Sequence, residues 1–150
     1  MSEKLNPEQR SRNMAAVKNK NTAPEIIVRK TLHRLGYRFR LHRRDLPGNP
    51  DIVLPKYRAV IFVHGCFWHG HPGCSRASRP RTNAEFWNTK LDKNLRRDQE
   101  VQARLHALGW RVLVIWQCRT KDREQLEQQI NDFLQSTPRI NYGTQGGRKR

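Results

Sequence analysis

Acidic residues are scarce in this sequence. Asp and Glu number 13 against 30 Lys and Arg, which leaves a formal net charge of +17 over 150 residues. So lopsided a balance disfavours a basic partner and favours a polyanion, with nucleic acid the first candidate. Long apolar runs are missing too: hydrophobic residues make up 35%, and the Met1–Leu5 start is polar. That excludes a membrane span and a secretory leader, so the expected location is cytoplasmic. Cysteine is sparse and odd in number, at positions 66, 74 and 118. Three reduced thiols exclude a disulfide framework and leave metal binding, catalysis or plain packing.

What is present argues for one folded domain. A chain this long buries roughly two-thirds of its unfolded surface, and four Trp residues supply material for a core. Charge alone does not separate a histone-like or ribosomal binder from a nucleic-acid enzyme. No internal repeat is visible. The domain is expected over residues 1–135, followed by a basic, Gly-containing tail over 136–150 that is expected to be mobile.

Local signals predict an α/β chain. A short helix is expected over Pro7–Asn19. A second starts after Thr22, where Thr22-x-x-Glu25 fits a capping box, and ends at Leu35-Gly36. Strands follow at Tyr37–Leu41, Asp51–Leu54 and Arg58–Val63, separated by the loop His42–Pro50 and a turn at Pro55–Tyr57. The stretch Gly65–Arg81 is irregular. A long helix runs from about Asn83 to Leu108 and is closed by Gly109. A strand over Trp110–Cys118 and a helix over Asp122–Leu134 complete the order, which implies a central mixed sheet flanked by helices. In such sheets functional groups gather at strand ends, here Asp51 and Val63-His64.

Cys66-x4-His71-x2-Cys74, with Cys118 at the end of the last strand, fits a tetrahedral Cys3His zinc site. His69 is an alternative fourth ligand; His71 is preferred because it leaves His69 free beside His64. Asp51, after Pro50, suits a magnesium ion, which prefers oxygen donors. Either His64 or His69 could orient or deprotonate a metal-bound water.

The long helix carries an apolar stripe at Trp87, Leu91, 94, 98, Val101, Leu105 and Leu108, the spacing of one buried face. Positions 94 and 98 are Asn94 and Asp98. A polar group on a buried face needs a partner, so both are expected to point into a polar site, with Asp98 accepting from a histidine N–H. Glu25 opens an apolar face on its own helix and either caps that helix or belongs to the site. Phe67-Trp68, in a basic loop, suits stacking or wedging against bases; Trp87 is as well explained by core packing. Basic residues flank Asn13-Met14-Ala15-Ala16, which could ride in a groove.

These motifs resemble the very short patch repair (Vsr) endonucleases of bacteria. The resemblance runs from Ser11-Arg12-Asn13-Met14 to Cys118. It is carried by Pro47-Gly48-x-Pro50-Asp51, His64-Gly65-Cys66-Phe67-Trp68-His69-Gly70-His71, Phe86-Trp87, Lys93-Asn94-x2-Arg97-Asp98 and Gly109-Trp110-Arg111-Val112-Leu113. It implies a restriction-endonuclease-like fold and a magnesium-dependent nick 5′ to the thymine of a T:G mismatch, which arises when 5-methylcytosine deaminates. It implies magnesium on Asp51 and the backbone carbonyl of Val63, with His64 helping through water. It makes His69 the general base, oriented by Asp98, and puts zinc on Cys66, His71, Cys74 and Cys118. Phe67, Trp68 and Trp87 would enter the duplex from one groove and Met14 from the other. As partners it implies mismatched double-stranded DNA and mismatch-repair proteins such as MutL. It also implies association with the bacterial nucleoid, and a single chain of this size suggests a monomer. Val63 stands where the family often has Thr, a change that a carbonyl ligand survives. The rival readings are a nucleic-acid-binding zinc module without catalysis and a related nuclease of different specificity.

Overall fold

The computed structural model describes residues 21–136. The expected helix at Pro7–Asn19, Met14 within it, and the tail from residue 137 onward lie outside the described residues. Helix α1 spans Ala23–Arg34 with Pro24 in its first turn and Thr22 as N-cap. The Thr22 Oγ1 accepts from the Glu25 N–H at 3.3 Å. Glu25 reaches back one residue further than a capping box requires, accepting from the Asn21 N–H at 3.0 Å. Gly36, at φ +88°, takes the left-handed turn that ends the helix.

The first strand is shorter than the alternation predicts. The Tyr37 N–H is spent on the Leu32 carbonyl at the end of α1, so pairing begins only at β1, Arg40–Leu41. Strands β2 (Ile52–Leu54) and β3 (Ala59–His64) follow, joined by a 3-10 turn at Pro55–Tyr57. Helix α2 covers Ala84–Ala107, β4 covers Arg111–Trp116 and helix α3 covers Arg123–Gln135. The sheet order is β1-β2-β3-β4, with the first two pairings antiparallel and β3–β4 parallel.

Alternation along the strands splits the core in two. Ile52, Leu54, Ala59 and Ile61 meet Val28 and Leu32 of α1 and Leu126, Ile130 and Leu134 of α3. Val53, Val60 and Phe62 face Leu105 of α2, Leu46 and Trp110. The result is a three-layer α/β domain in which, among the described residues, α2 is the one helix on the second face. Leu108, the last position of the predicted stripe, is 54% exposed. It is the C-cap of α2, and the turn at Gly109 (φ +92°) brings Trp110 into the core beyond it.

One close contact ties the loop before β2 to α2. A Cβ added at Gly48, which sits at φ +75°, would lie 2.4 Å from the Val101 Cγ1. The turn therefore needs glycine for both its conformation and its closeness to the helix. Gly48→Ala should destabilise the fold by about 1–3 kcal/mol in urea unfolding, and an unchanged midpoint would refute this account of the loop.

Candidate active site

Asp51 stands at the entrance to β2, in the row that the register carries onto the α2 face. Its Oδ2 accepts from the Val63 N–H at 2.8 Å. The Val63 N–H, rather than a side chain, is thus what fixes the carboxylate beside the end of β3. Burial pushes the Asp51 carboxyl up to about 6 from its ordinary 3.8, helped by the nearby Glu25 and opposed by the Val63 hydrogen bond. A half-buried carboxylate with one oxygen taken by an amide is a site short of positive charge, and a divalent cation fits it.

β3 ends on His64, and the chain then turns back through Gly65–Gly70. His69 N–H bonds to the Gly65 carbonyl at 3.1 Å, which folds His69 over His64. The two rings stack at 3.8 Å between centroids and 8° between planes. His64 is buried, and burial together with the neighbouring His69 drives its pKa down to about 3. His64 is therefore a neutral ring at any working pH. His69 is half-buried and its Nδ1 lies 2.6 Å from Asp98 Oδ2. A carboxylate only accepts, so Nδ1 carries a proton, and in the neutral ring the lone pair sits on Nε2. This is the pairing that the interrupted stripe of α2 predicts.

These groups line one cleft of about 690 Å³, with His42, Asp51, His64, His69, Arg97 and Asp98 on its walls. Arg44 also faces it, so a cleft floored by carboxylates has cationic sides suited to phosphate. The other polar interruption, Asn94, donates from Nδ2 to the Trp68 carbonyl at 3.2 Å. It holds the loop rather than facing the carboxylates. Trp87 is buried, with Phe67, Trp68 and Phe86 packed around it at centroid distances of 5.6, 5.9 and 5.1 Å. Phe67 and Trp68 stay half-exposed above it.

The same loop builds a second cluster. Ligand atoms of Cys66, His71, Cys74 and Cys118 all lie within 4.8 Å of one another. The three cysteines are free thiols, and Cys118 Sγ is 3.4 Å from His71 Nδ1. Burial pushes the Cys66 thiol up to about 11, and burial also holds His71 below its ordinary pKa. A neutral imidazole among three thiols is a donor set that fits zinc. The sequence alternative, His69 as the fourth ligand, is not the arrangement found; His69 is committed to Asp98.

Sequence reasoning passed over two residues. His42 lies opposite Asp51 in the β1–β2 hairpin, its N–H bonded to the Asp51 carbonyl at 3.2 Å. Counting the hairpin register back from Asp51 would have found it. Arg29, one turn on from Glu25, is ion-paired to that residue; an i,i+4 Glu–Arg pair was the signal.

A half-buried carboxylate, a histidine oriented by a second carboxylate and arginine walls, set at strand ends of a mixed sheet in a basic chain, define a DNA endonuclease. The family model for DNA mismatch endonuclease Vsr matches residues 2–76. A type II nicking enzyme, V.XorIIP of Xanthomonas oryzae pv. oryzae, is 52% identical over 134 residues, covering 89% of this chain and 98% of its own. The DNA mismatch endonuclease Vsr of Escherichia coli strain K12 is 46% identical over 117 residues, covering 78% of this chain and 74% of its own. Among solved structures, the catalytic domain of the homing endonuclease I-Bth0305I aligns with a TM-score of 0.52 at 25% identity, covering 75% of this chain and 94% of that one. The chain belongs to the Vsr family of DNA mismatch endonucleases and has the restriction-endonuclease-like fold. No helix among the described residues is long and apolar enough to cross a membrane.

The Asp51 pKa makes a stability prediction. Its folded value lies above the unfolded one, so the native state holds the proton more tightly. That contribution is full below about pH 4 and is lost as pH rises through about 6. Above pH 6 the half-buried charge costs stability. Asp51→Asn should therefore raise stability at pH 7.5 by roughly 1–3 kcal/mol in denaturant melts, with the gain shrinking to nothing near pH 4. A gain independent of pH would contradict the assignment.

Proposed function

We propose that this chain nicks one strand of double-stranded DNA on the 5′ side of the thymine in a T:G mismatch, the first step of very short patch repair. The observation that carries the reading is the His69–Asp98 pair beside Asp51 in one cleft. It supplies a proton acceptor, its orienting group and a cation ligand together.

In this reading Asp98 holds the His69 Nδ1 proton, so Nε2 is free to take a proton from the attacking water, and the imidazolium that forms is stabilised by the Asp98 charge. His64, held neutral by burial, orients water without competing for the proton. Magnesium held by Asp51 and the Val63 carbonyl would polarise the phosphate and ease departure of the leaving oxygen. Arg44 and Arg97 on the cleft walls bind the flanking phosphates. Zinc on Cys66, His71, Cys74 and Cys118 would fix the loop that carries His69.

Phe67 and Trp68 enter the duplex at the mismatch, where unstacking is cheapest, with Trp87 as their buried support and Asn94 pinning the Trp68 backbone. Met14 serves the opposite groove. In this reading the chain acts as a monomer. A net charge of +17 favours residence on the nucleoid. Mismatch-repair proteins such as MutL are the partners the family suggests.

The test is nicking of a T:G duplex and a fully paired duplex, with magnesium and with EDTA. A magnesium-dependent nick confined to the T:G duplex is expected. His69→Ala should slow it by about 10²–10⁴-fold, and Asp51→Ala should abolish it while DNA binding persists. Equal cleavage of both duplexes would defeat the mismatch reading, and an Asp51→Ala variant that still nicks would defeat the mechanism.

A further inference from the structure

Glu25, His42 and Asp51 bring ligand atoms within 4.8 Å of one another, yet Glu25 is poorly placed to be a ligand. It is 2% exposed, and both of its oxygens are engaged. Oε1 accepts from the Asn21 N–H. Oε2 accepts from Arg29 and lies 3.0 Å from His42 Nε2. A cation approaching Glu25 would have to displace donors already in place and compete with the Arg29 charge.

The hydrogens around Arg29 decide what His42 does. The Arg29 Nη2 carries two hydrogens. One goes to Asn21 Oδ1 at 2.6 Å and the other to Glu25 Oε2. None is left for His42 Nε2, although it lies only 3.1 Å from Nη2. His42 Nε2 must therefore be the protonated nitrogen, donating to Glu25. In the neutral ring the lone pair then sits on Nδ1. The hairpin pairs the two backbones, a ring nitrogen of His42 lies within 4.8 Å of an Asp51 carboxylate oxygen, and both residues line the same cleft. A histidine whose far N–H is held by a carboxylate is the arrangement by which proteins orient a metal-binding imidazole.

We propose that His42 is a nitrogen ligand, through Nδ1, to the divalent cation at Asp51, and that Glu25 is its positioning residue, with Arg29 and Asn21 fixing Glu25. The inference rests on the reading that Asp51 holds the cation. It gives Glu25 a role distinct from helix capping. It also predicts a site less committed to magnesium than an all-oxygen one, because imidazole favours the later divalent metals.

The experiment is titration of the zinc-loaded full chain with Mn²⁺. Free Mn²⁺ is followed by electron paramagnetic resonance, and directly bound nitrogen is read from pulsed spectra. Wild type should bind Mn²⁺ and show ¹⁴N coupling. His42→Gln, which keeps an oxygen donor, should lose the coupling and bind about tenfold more weakly. Glu25→Gln should keep the coupling but weaken binding by about 10-fold, whereas a purely capping Glu25 would leave the Mn²⁺ affinity unmoved. A wild-type spectrum without nitrogen coupling overturns the proposal with no variant needed, and so does coupling that persists in His42→Gln. If Asp51→Asn binds Mn²⁺ as well as wild type, the cation site itself is misplaced. If Asp51→Asn loses Mn²⁺ while His42→Gln keeps both affinity and coupling, the His42 assignment alone fails.

Discussion

The parallel pairing of β3 with β4 positions both halves of the functional region. Its register sets His64 opposite Trp116, so the loop leaving β3 and the turn leaving β4 start side by side. Cys118 thereby returns to Cys66 and His71, and the Trp116 ring stacks on His71 at 4.3 Å. The same register fixes Val63, whose amide holds Asp51. A slip of one residue would turn Val60 and Phe62 away from α2 and reverse every side chain along the strand. The cost of that reversal on both buried faces is what makes the position of Asp51 and the thiols reproducible.

The loop from Gly65 to Cys74 interleaves two chemistries within ten residues. Cys66 and His71 look to the thiol cluster, while His69 looks to Asp98 and stacks on His64. Phe67 and Trp68 project between them over buried Trp87. Backbone bonds from His69 to Gly65 and from His71 to Cys66 close this short path. Very little of the loop is regular secondary structure, so side-chain anchors rather than a ladder must hold it. His69 and the thiol cluster are thus mechanically one unit.

Much of this was legible because the signals were local. Asn94 and Asp98 stood out as polar breaks in a helical stripe, and the Asp98 partner turned out to be a histidine. Three of the four thiol-cluster ligands fall within nine residues. The strand at β1 came out shorter because the Tyr37 amide belongs to the helix end, a bond that alternation cannot reveal. His42 was missed because its significance depends on the hairpin register and on Glu25 arriving from another layer, whereas Arg29 did carry a local signal, its i,i+4 spacing from Glu25. Trp87 read equally as core or contact residue, and the fold makes it buried support.

The claim that the loop is one unit has a direct test in the proton on His69 Nδ1. A proton shared with a carboxylate at 2.6 Å should give a strongly downfield proton resonance. It should be present in the zinc-loaded chain and absent in Asp98→Asn. Followed as zinc is withdrawn by a chelator, or in Cys118→Ser, that resonance should vanish in step with the bound metal. A His69 signal that survives unchanged in the zinc-free chain would show that the two sites share a loop but not a structure.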